Sequence, residues 1–385
     1  MSKHDSSGEH AFEKTHDGYT IRRFEHADLD AFLSLHADVF GTESSEEWFA
    51  WKFADNPYLD GVPVFVAEDD DDELVGGLGC FGLAMGTGAG SVLAVEPCDA
   101  VVHPDHRRRG LYLELMRAGM TYYGAREPTF YFDLIPGSGP YRGNHEHLDW
   151  NRVDELATYY RVQNPAALLD ERLGDGVASG LAGGVGRLAA RGYHALLARA
   201  SASNVAGIDV ERRSTVPADV FASLYRAGPP HRFHARRDEQ FYRWRFANPR
   251  WEYAAYVAWR GGAPVAGMIT GTGRSDDSRS TRLMDVVPMT AGVKRRDAFA
   301  ALLSRVVDDH RDSDVLAAPP GVVPHGVLTA YGFRRDDVPP ISRWAEPYRH
   351  GVRPFAGGED AHVVDGMDLT DHTNWLITFA EQDTS

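Results

Sequence analysis

The sequence predicts an α+β fold made of two tandem units of one kind, each a mixed, mostly antiparallel sheet flanked by helices, with the second unit degenerate. An internal repeat carries most of that reading. WFAWKFADNPYLDGVPVFVAEDDDDELVGG (Trp48–Gly77) aligns with FYRWRFANPRWEYAAYVAWRGGAPVAG (Phe241–Gly267), so that Trp51, Lys52, Phe53, Ala54, Asn56 and Pro57 match Trp244, Arg245, Phe246, Ala247, Asn248 and Pro249. DAVVHPDHRRRGLYLELM from Asp99 then pairs with DVVPMTAGVKRRDAFAALLSRV from Asp285, and HLDW (His147–Trp150) pairs with AYGF (Ala330–Phe333). Length is the second observation. A chain of 385 residues, 43% hydrophobic and 11% aromatic, exceeds one ordinary domain of about 100 to 200 residues and has enough apolar side chains for two cores. The units are placed at 18–162 and 205–345, after a disordered N-terminal tail (1–17), with a Gly/Ala-rich helical connector at 163–204 and a C-terminal extension at 346–385.

Each element of the first unit follows from its pattern. DLDAFLSLHADVF (Asp28–Phe40) spaces its apolar residues as a helix, and VPVFVAED followed by LVGGLGCFGLAM reads as two strands around an acidic turn. VLAVEPCDAVVHP (Val92–Pro104) is a further strand region. Leu111, Leu115, Ala118 and Tyr122 then form a helical stripe at i, i+4, i+7 and i+11, and TFYFDLIP (Thr129–Pro136) is the next strand. In the connector, Pro165–Ala200 has the apolar spacing of an amphipathic helix packing on its own domain, although its glycines weaken it as an isolated helix. Trp48, Trp51 and Trp244 either line a cleft between the units or fill the core.

Charge and composition narrow the classes of partner. The formal net charge is −16, and among 40 basic residues only Lys3, Lys14, Lys52 and Lys294 are lysines. Such a surface resembles that of proteins from salt-in halophiles and argues against a nucleic-acid partner, which needs a basic face. Stability is therefore expected to rise from dilute buffer to molar salt as self-repulsion is screened, and a melting temperature flat across that range would contradict the halophilic reading. No apolar run approaches the roughly 20 residues that cross a bilayer, and the polar N-terminus has no hydrophobic signal segment, so no membrane partner and a cytoplasmic location are expected. Cys80 and Cys98 lie in apolar surroundings without CxxC or Cys/His spacing, which reads as two buried thiols and no metal site.

The run VVHPDHRRRGLYLELM (Val101–Met116) carries the chemistry. A strand hands over to a helix through three arginines and one glycine, and a helix N-terminus offers unpaired N–H groups and a favourable dipole to an anion. Gly110 removes a Cβ where backbone must approach that anion. This run resembles the acetyl-CoA binding motif of the GNAT superfamily of N-acetyltransferases, in which a strand ending V-x-P leads into an Arg/Gln-x-x-Gly-x-Gly/Ala turn and a helix. HLDW and AYGF resemble the Leu-Gly-Phe close of the GNAT unit, and the tandem arrangement is similar to mycothiol synthase and the enhanced-intracellular-survival acetyltransferases. The resemblance implies acetyl-CoA as cosubstrate, held by Val101, Val102, Arg107, Arg108, Arg109, Gly110, Leu111 and Tyr112, with Tyr112 standing where Gly or Ala is usual. It implies transfer of an acyl group to an amine of a small molecule or peptide; a non-catalytic GNAT-like ligand-binding protein is the alternative.

Such a transfer needs a base for the amine and an acid for the thiolate. Glu96 and Asp99 lie on the strand that would flank the thioester, but strand alternation turns them to opposite faces unless Pro97 introduces a bulge, and Glu96 is the chosen base. For the acid, the family's Tyr three residues before its Leu-Gly-Phe close corresponds to His145, with Tyr141 one helical turn earlier, and both stay candidates. In the second unit Asp297 replaces Gly110, bringing a Cβ and a negative charge, so only the N-terminal unit is expected to bind coenzyme A.

Overall fold

The computed structural model describes residues 12–136, 139–164, 207–274, 278–290, 295–343, 345–358 and 360–383. The first unit opens on the hairpin β1 (Glu13–His16) and β2 (Tyr19–Arg23), followed by α1 (Leu29–Phe40), the single turn α2 (Glu46–Phe49) running into a π-turn at Ala50–Ala54, then β3 (Val64–Glu68), β4 (Leu74–Gly86) and β5 (Ser91–Val102). After the turn come α3 (Leu111–Gly124), β6 (Phe130–Pro136), α4 (Gly139–His147), β7 (Asn151–Leu156) and β8 (Tyr159–Val162). The second unit repeats the plan with β9 (Asp209–Arg213), α5 (Ala218–Arg226), β10 (His234–Ala235), α6 (Glu239–Arg245), β11 (Glu252–Arg260), β12 (Ala263–Arg274), β13 (Arg279–Val287), α7 (Arg296–Asp309), β14 (Val315–Ala318), α8 (His325–Ala330), β15 (Arg334–Arg335) and β16 (Tyr348–Pro354). The expected α+β architecture of two mixed, mainly antiparallel sheets is the one observed.

The strand orders correct the unit boundaries. The first sheet runs β1-β2-β3-β4-β5-β6-β16-β7, with β10 added to β4, and the second runs β15-β8-β14-β13-β12-β11-β9. Parallel pairing occurs once in each, between β5 and β6 and between β13 and β14. Thus β8, the end of the stretch assigned to unit one (18–162), lies antiparallel between β14 and β15 of the second sheet, while β16, placed by sequence in the extension (346–385) beyond unit two (205–345), lies between β6 and β7 of the first. The exchange is reciprocal: β8 completes the second sheet and β16 completes the first. Element order alone does not say which sheet a strand joins, because the backbone donors and acceptors of any open edge serve equally well.

The N-terminal tail is shorter than expected. Asp17 and Gly18, both at positive φ (45° and 82°), make the two-residue turn that joins β1 to β2, an Asp-Gly hairpin signal lying inside the segment assigned as disordered. Phe12 packs edge-on against Phe65 and Tyr122, with centroids 5.8 and 6.1 Å apart. The expected connector helix, Pro165–Ala200, lies outside the described residues; at the start of the 163–204 connector, the N–H groups of Gln163 and Asn164 both donate to the Asp314 carbonyl. No helix among the described residues is long and apolar enough to cross a membrane.

The two repeats meet through their tryptophans. Trp51 Nε1 donates to the Trp244 carbonyl and Trp244 Nε1 donates to the Trp51 carbonyl, each at 2.8 Å, with the rings stacked 6.2 Å apart. Trp48, Trp51 and Trp244 are all buried, so they fill the core, and one apolar cluster runs through both units. Cys80 and Cys98 are buried free thiols. Residues 374–383 thread between the units as a strap buried from Trp375 to Gln382: Phe233 N–H donates to the Asn374 carbonyl, Arg237 pairs with Glu381, and Arg245 donates to the carbonyls of Phe379, Ala380 and Gln382.

Candidate active site

The site begins where β5 leaves β6. The two strands are in register only at Ala94↔Phe130 and Val95↔Tyr131, and beyond that point they part and leave backbone on both sides unpaired. On its other edge β5 carries a bulge: Gly77 faces Val101 and Gly79 faces Cys98, so Asp99 and Ala100 together oppose Leu78 alone. Asp99 takes positive φ (44°) to accommodate the extra residue. The bulge sits at Asp99 rather than at Pro97, and it defeats the alternation that would have separated Asp99 from Glu96. Both side chains reach the same buried group, Lys52 and Asp383.

That group contains one ammonium and three carboxyls. Lys52, fully buried in the π-turn after α2, pairs with both Asp99 and Asp383, and the Asp383 N–H donates to Glu96 Oε2 at 3.0 Å. His36 from α1 completes it, with Nε2 3.4 Å from Asp99 Oδ1 and Nδ1 2.9 Å from Ser44 Oγ. Burial would raise Asp99, but Lys52 and the His36 hydrogen bond outweigh it and hold the carboxyl down at about 2. Burial pushes Glu96 well above the usual carboxylate range, the Asp383 charge adds to this, and Lys52 offsets only part. Asp383 is raised for the same reason. Asp99 therefore serves as the fixed counter-ion of Lys52, while burial favours the neutral form of Glu96 and of Asp383. Cys98 Sγ joins Asp99 and Asp383 in a cluster of metal-ligand type within 4.8 Å, but the Lys52 ammonium already supplies the positive charge between the two carboxylates.

Beside this cluster lies an anion groove. Gly110 adopts φ 79° at the N-cap of α3, a left-handed conformation that a β-carbon would strain. The first intrahelical bond runs from Glu114 N–H to the Gly110 carbonyl, which leaves the N–H groups of Leu111, Tyr112 and Leu113 unpaired within the helix. A groove of about 460 Å³ is lined by Val102, Arg107, Arg108, Gly110, Leu111 and Tyr112, among others. Arg107 is braced by a hydrogen bond from its Nε to the Val102 carbonyl. Two of the anticipated residues stand elsewhere: Arg109 folds back onto Tyr19 Oη and the Asp105 carbonyl, steadying the turn from behind, and the Val101 side chain is buried in the core beside Gly77.

Tyr112, the residue that departs from the family motif, has a definite partner. Its hydroxyl donates to Asn144 Oδ1 on α4 (2.7 Å), and Asn144 Nδ2 donates to Asp133 Oδ2 on β6 (3.1 Å). Burial raises the Tyr112 phenol and brings Asp133 up to about 7 despite the Asn144 amide. A raised carboxyl contributes stability below its unfolded value near 4 and loses it as pH climbs to about 7. Asp133→Asn is thus expected to leave stability unchanged near pH 4 and to raise it relative to the parent above pH 7; melting curves whose difference does not grow across that window would contradict this.

The two acid candidates differ in what the structure says of them. Tyr141 lies on α4, with its side chain outside the described residues. His145 follows Asn144 on the same helix and turns toward the backbone of Trp150; burial lowers its basicity and the Trp150 hydrogen bond restores part of it. Lys52 and Asp383 were missed by motif reading. A signal for Lys52 was present, since it is one of four lysines in an arginine-rich chain and stands where the second repeat has Arg245.

In the second unit the helix after the aligned turn, α7, starts at Arg296, so Asp297 sits inside the first helical turn rather than at the cap. Its buried face, Ala298, Phe299, Leu302, Leu303 and Val306, keeps the packing of α3 without the left-handed glycine.

A family model described as an acetyltransferase (GNAT) domain matches residues 20–143, from β2 into α4 of the first unit. Among solved structures, a GCN5-related N-acetyltransferase from Anabaena variabilis superposes with a TM-score of 0.55 at 12% identity, over 88% of this chain and 73% of that one. A GCN5-related N-acetyltransferase from Kribbella flavida gives 0.51 at 15% identity, over 89% and 71%. An N-myristoyltransferase from Saccharomyces cerevisiae, solved with myristoyl-CoA, gives 0.57 at 12% identity, over 88% and 80%. At these identities the likeness is one of fold, and it extends through both units. No curated protein sequence matches the chain.

Proposed function

We propose that the protein moves an acyl group, in the simplest case acetyl, from acetyl-CoA to the amine of a small molecule or peptide, with the cosubstrate held by the first unit and Asp383 of the strap completing the site. The observation that carries this reading is the conjunction, on one strand-turn-helix, of the bulge at Asp99 where β5 parts from β6 and the left-handed Gly110 heading α3. The residues present fit the cosubstrate: Gly110 and the free N–H groups of Leu111, Tyr112 and Leu113 suit a pyrophosphate, with Arg107 and Arg108 alongside. Acetyl-CoA supplies an acyl group activated as a thioester. Glu96 accepts the proton of the attacking amine at its carboxylate, and Asp99 keeps Lys52 charged so that the neighbouring carboxyls can ionise one at a time. Tyr112, which lines the groove on α3, returns a proton to the thiolate, with Tyr141 on α4 the other candidate that the family resemblance implies.

Calorimetric titration with acetyl-CoA, followed by thiol release over a panel of amines, tests the reading. One equivalent per chain is expected. Gly110→Asp should weaken binding by about ten- to a hundredfold through a strained φ and a like charge, and Asp297→Ala should leave it unchanged. Two equivalents would break the asymmetry between units, and binding without turnover over a broad panel would favour the non-catalytic alternative.

A further inference from the structure

The second unit has a cleft of its own. β13 and β14 run in register from Ser280↔Val315 to Arg282↔Ala317 and then part, as β5 and β6 do. Counted from the aligned Asp99 and Asp285, Arg282 stands in the place of Glu96. A cavity of about 310 Å³ opens there, walled by Tyr160, Arg282, Ala317, Tyr348 and Phe379.

The charges around this cavity are unevenly used. The Arg282 guanidinium lies 5.2 Å from the Trp251 ring centroid and 5.5 Å from that of Phe379, and among the described residues no carboxylate pairs with it. Arg279, at the rim, is paired with Asp312. Asp314, the acid in the lining, accepts from Asn164 Nδ2 at 2.7 Å and from the Arg279 N–H at 2.9 Å, so both its oxygens are engaged. Two arginines line the cavity, Arg279 already paired with Asp312 and Arg282 lying beside the Trp251 and Phe379 rings, and the other walls are apolar and phenolic. A guanidinium without a carboxylate partner matches a carboxylate ligand. The occupant is not the acyl carrier, because α7 begins without a glycine cap and carries Asp297 in its first turn.

We propose that this cleft binds a monocarboxylate with an aromatic or branched apolar body, its carboxylate on Arg282 and its body against Tyr160, Ala317 and Phe379. The proposal is independent of acyl transfer and is read by binding alone. The full chain is titrated calorimetrically with 3-phenylpropionate and with its neutral amide. The acid is expected to bind once per chain, and both the amide with the parent protein and the acid with Arg282→Gln should bind about tenfold or more weakly, the loss of one charge-assisted contact. Ala317→Leu fills the cavity while leaving every charge in place, and it should abolish binding with the circular dichroism spectrum unchanged. Equal affinity for acid and amide, undiminished binding in either variant, or no heat from the parent protein up to the probe's solubility limit would overturn the proposal.

Discussion

Replacing Lys52 with methionine should cost the fold about 3 to 5 kcal/mol, the loss expected when one partner of a buried ion pair is removed and the other is left uncompensated. Lys52 is the ammonium that Asp99 and Asp383 share; Lys52 and Asp99 are buried and Asp383 is largely covered. Without it, Asp99 loses the charge that keeps it ionised and must take up a proton or draw in water. The double variant Lys52→Met/Asp99→Asn should recover part of the loss, because it removes the stranded charge as well. Denaturant unfolding checks both, and a Lys52→Met midpoint equal to the parent's would show that the cluster is not held by this pair.

Glu96→Gln should lower the rate of acyl transfer by about 10²- to 10⁴-fold, the contribution of a positioned general base, with coenzyme A affinity little changed. The amide is nearly isosteric and its oxygen can still accept the Asp383 N–H. The parent enzyme should also show a characteristic pH profile. Burial raises Glu96, and a base works only when deprotonated, so activity should fall as pH drops through a value above the ordinary carboxylate range. An acidic limb near 4, or a Glu96→Gln enzyme of parental rate, would remove Glu96 from the base role.

Much of the fold was legible because local patterns agree with tertiary structure. Of the stripe Leu111, Leu115, Ala118 and Tyr122, the first three are buried and Tyr122 is half-buried with Tyr123 enclosed beside it, and the acidic turn between VFVAE and LVGGLGCFGLAM is the β3–β4 hairpin. The glycine turn was legible too, since Gly110 is left-handed where the motif needs it. What escaped was long-range. The bulge that brings Asp99 beside Glu96 depends on pairing with Gly77 and Gly79, which no window around Pro97 contains. Asp383 reaches Glu96 across 287 positions of sequence, carried by a strap whose apolar run, Trp375 to Ala380, shows burial but not destination. Arg109 looked like one of three equal cations, and only the position of Tyr19 Oη shows that it faces away from the groove.

The reciprocal placement of β8 and β16 makes the chain topologically interlocked. Each sheet is completed by a strand covalently continuous with the other unit, so neither unit can be excised with a full set of strand partners. Cleavage between Asn164 and Gly207 would create two polypeptides that remain one particle, held by the exchanged strands and by the paired tryptophans. In the intact chain each unit's effective concentration for the other is set by the covalent link and does not depend on how much protein is present, whereas the cleaved pair would hold together only above the dissociation constant that these contacts set.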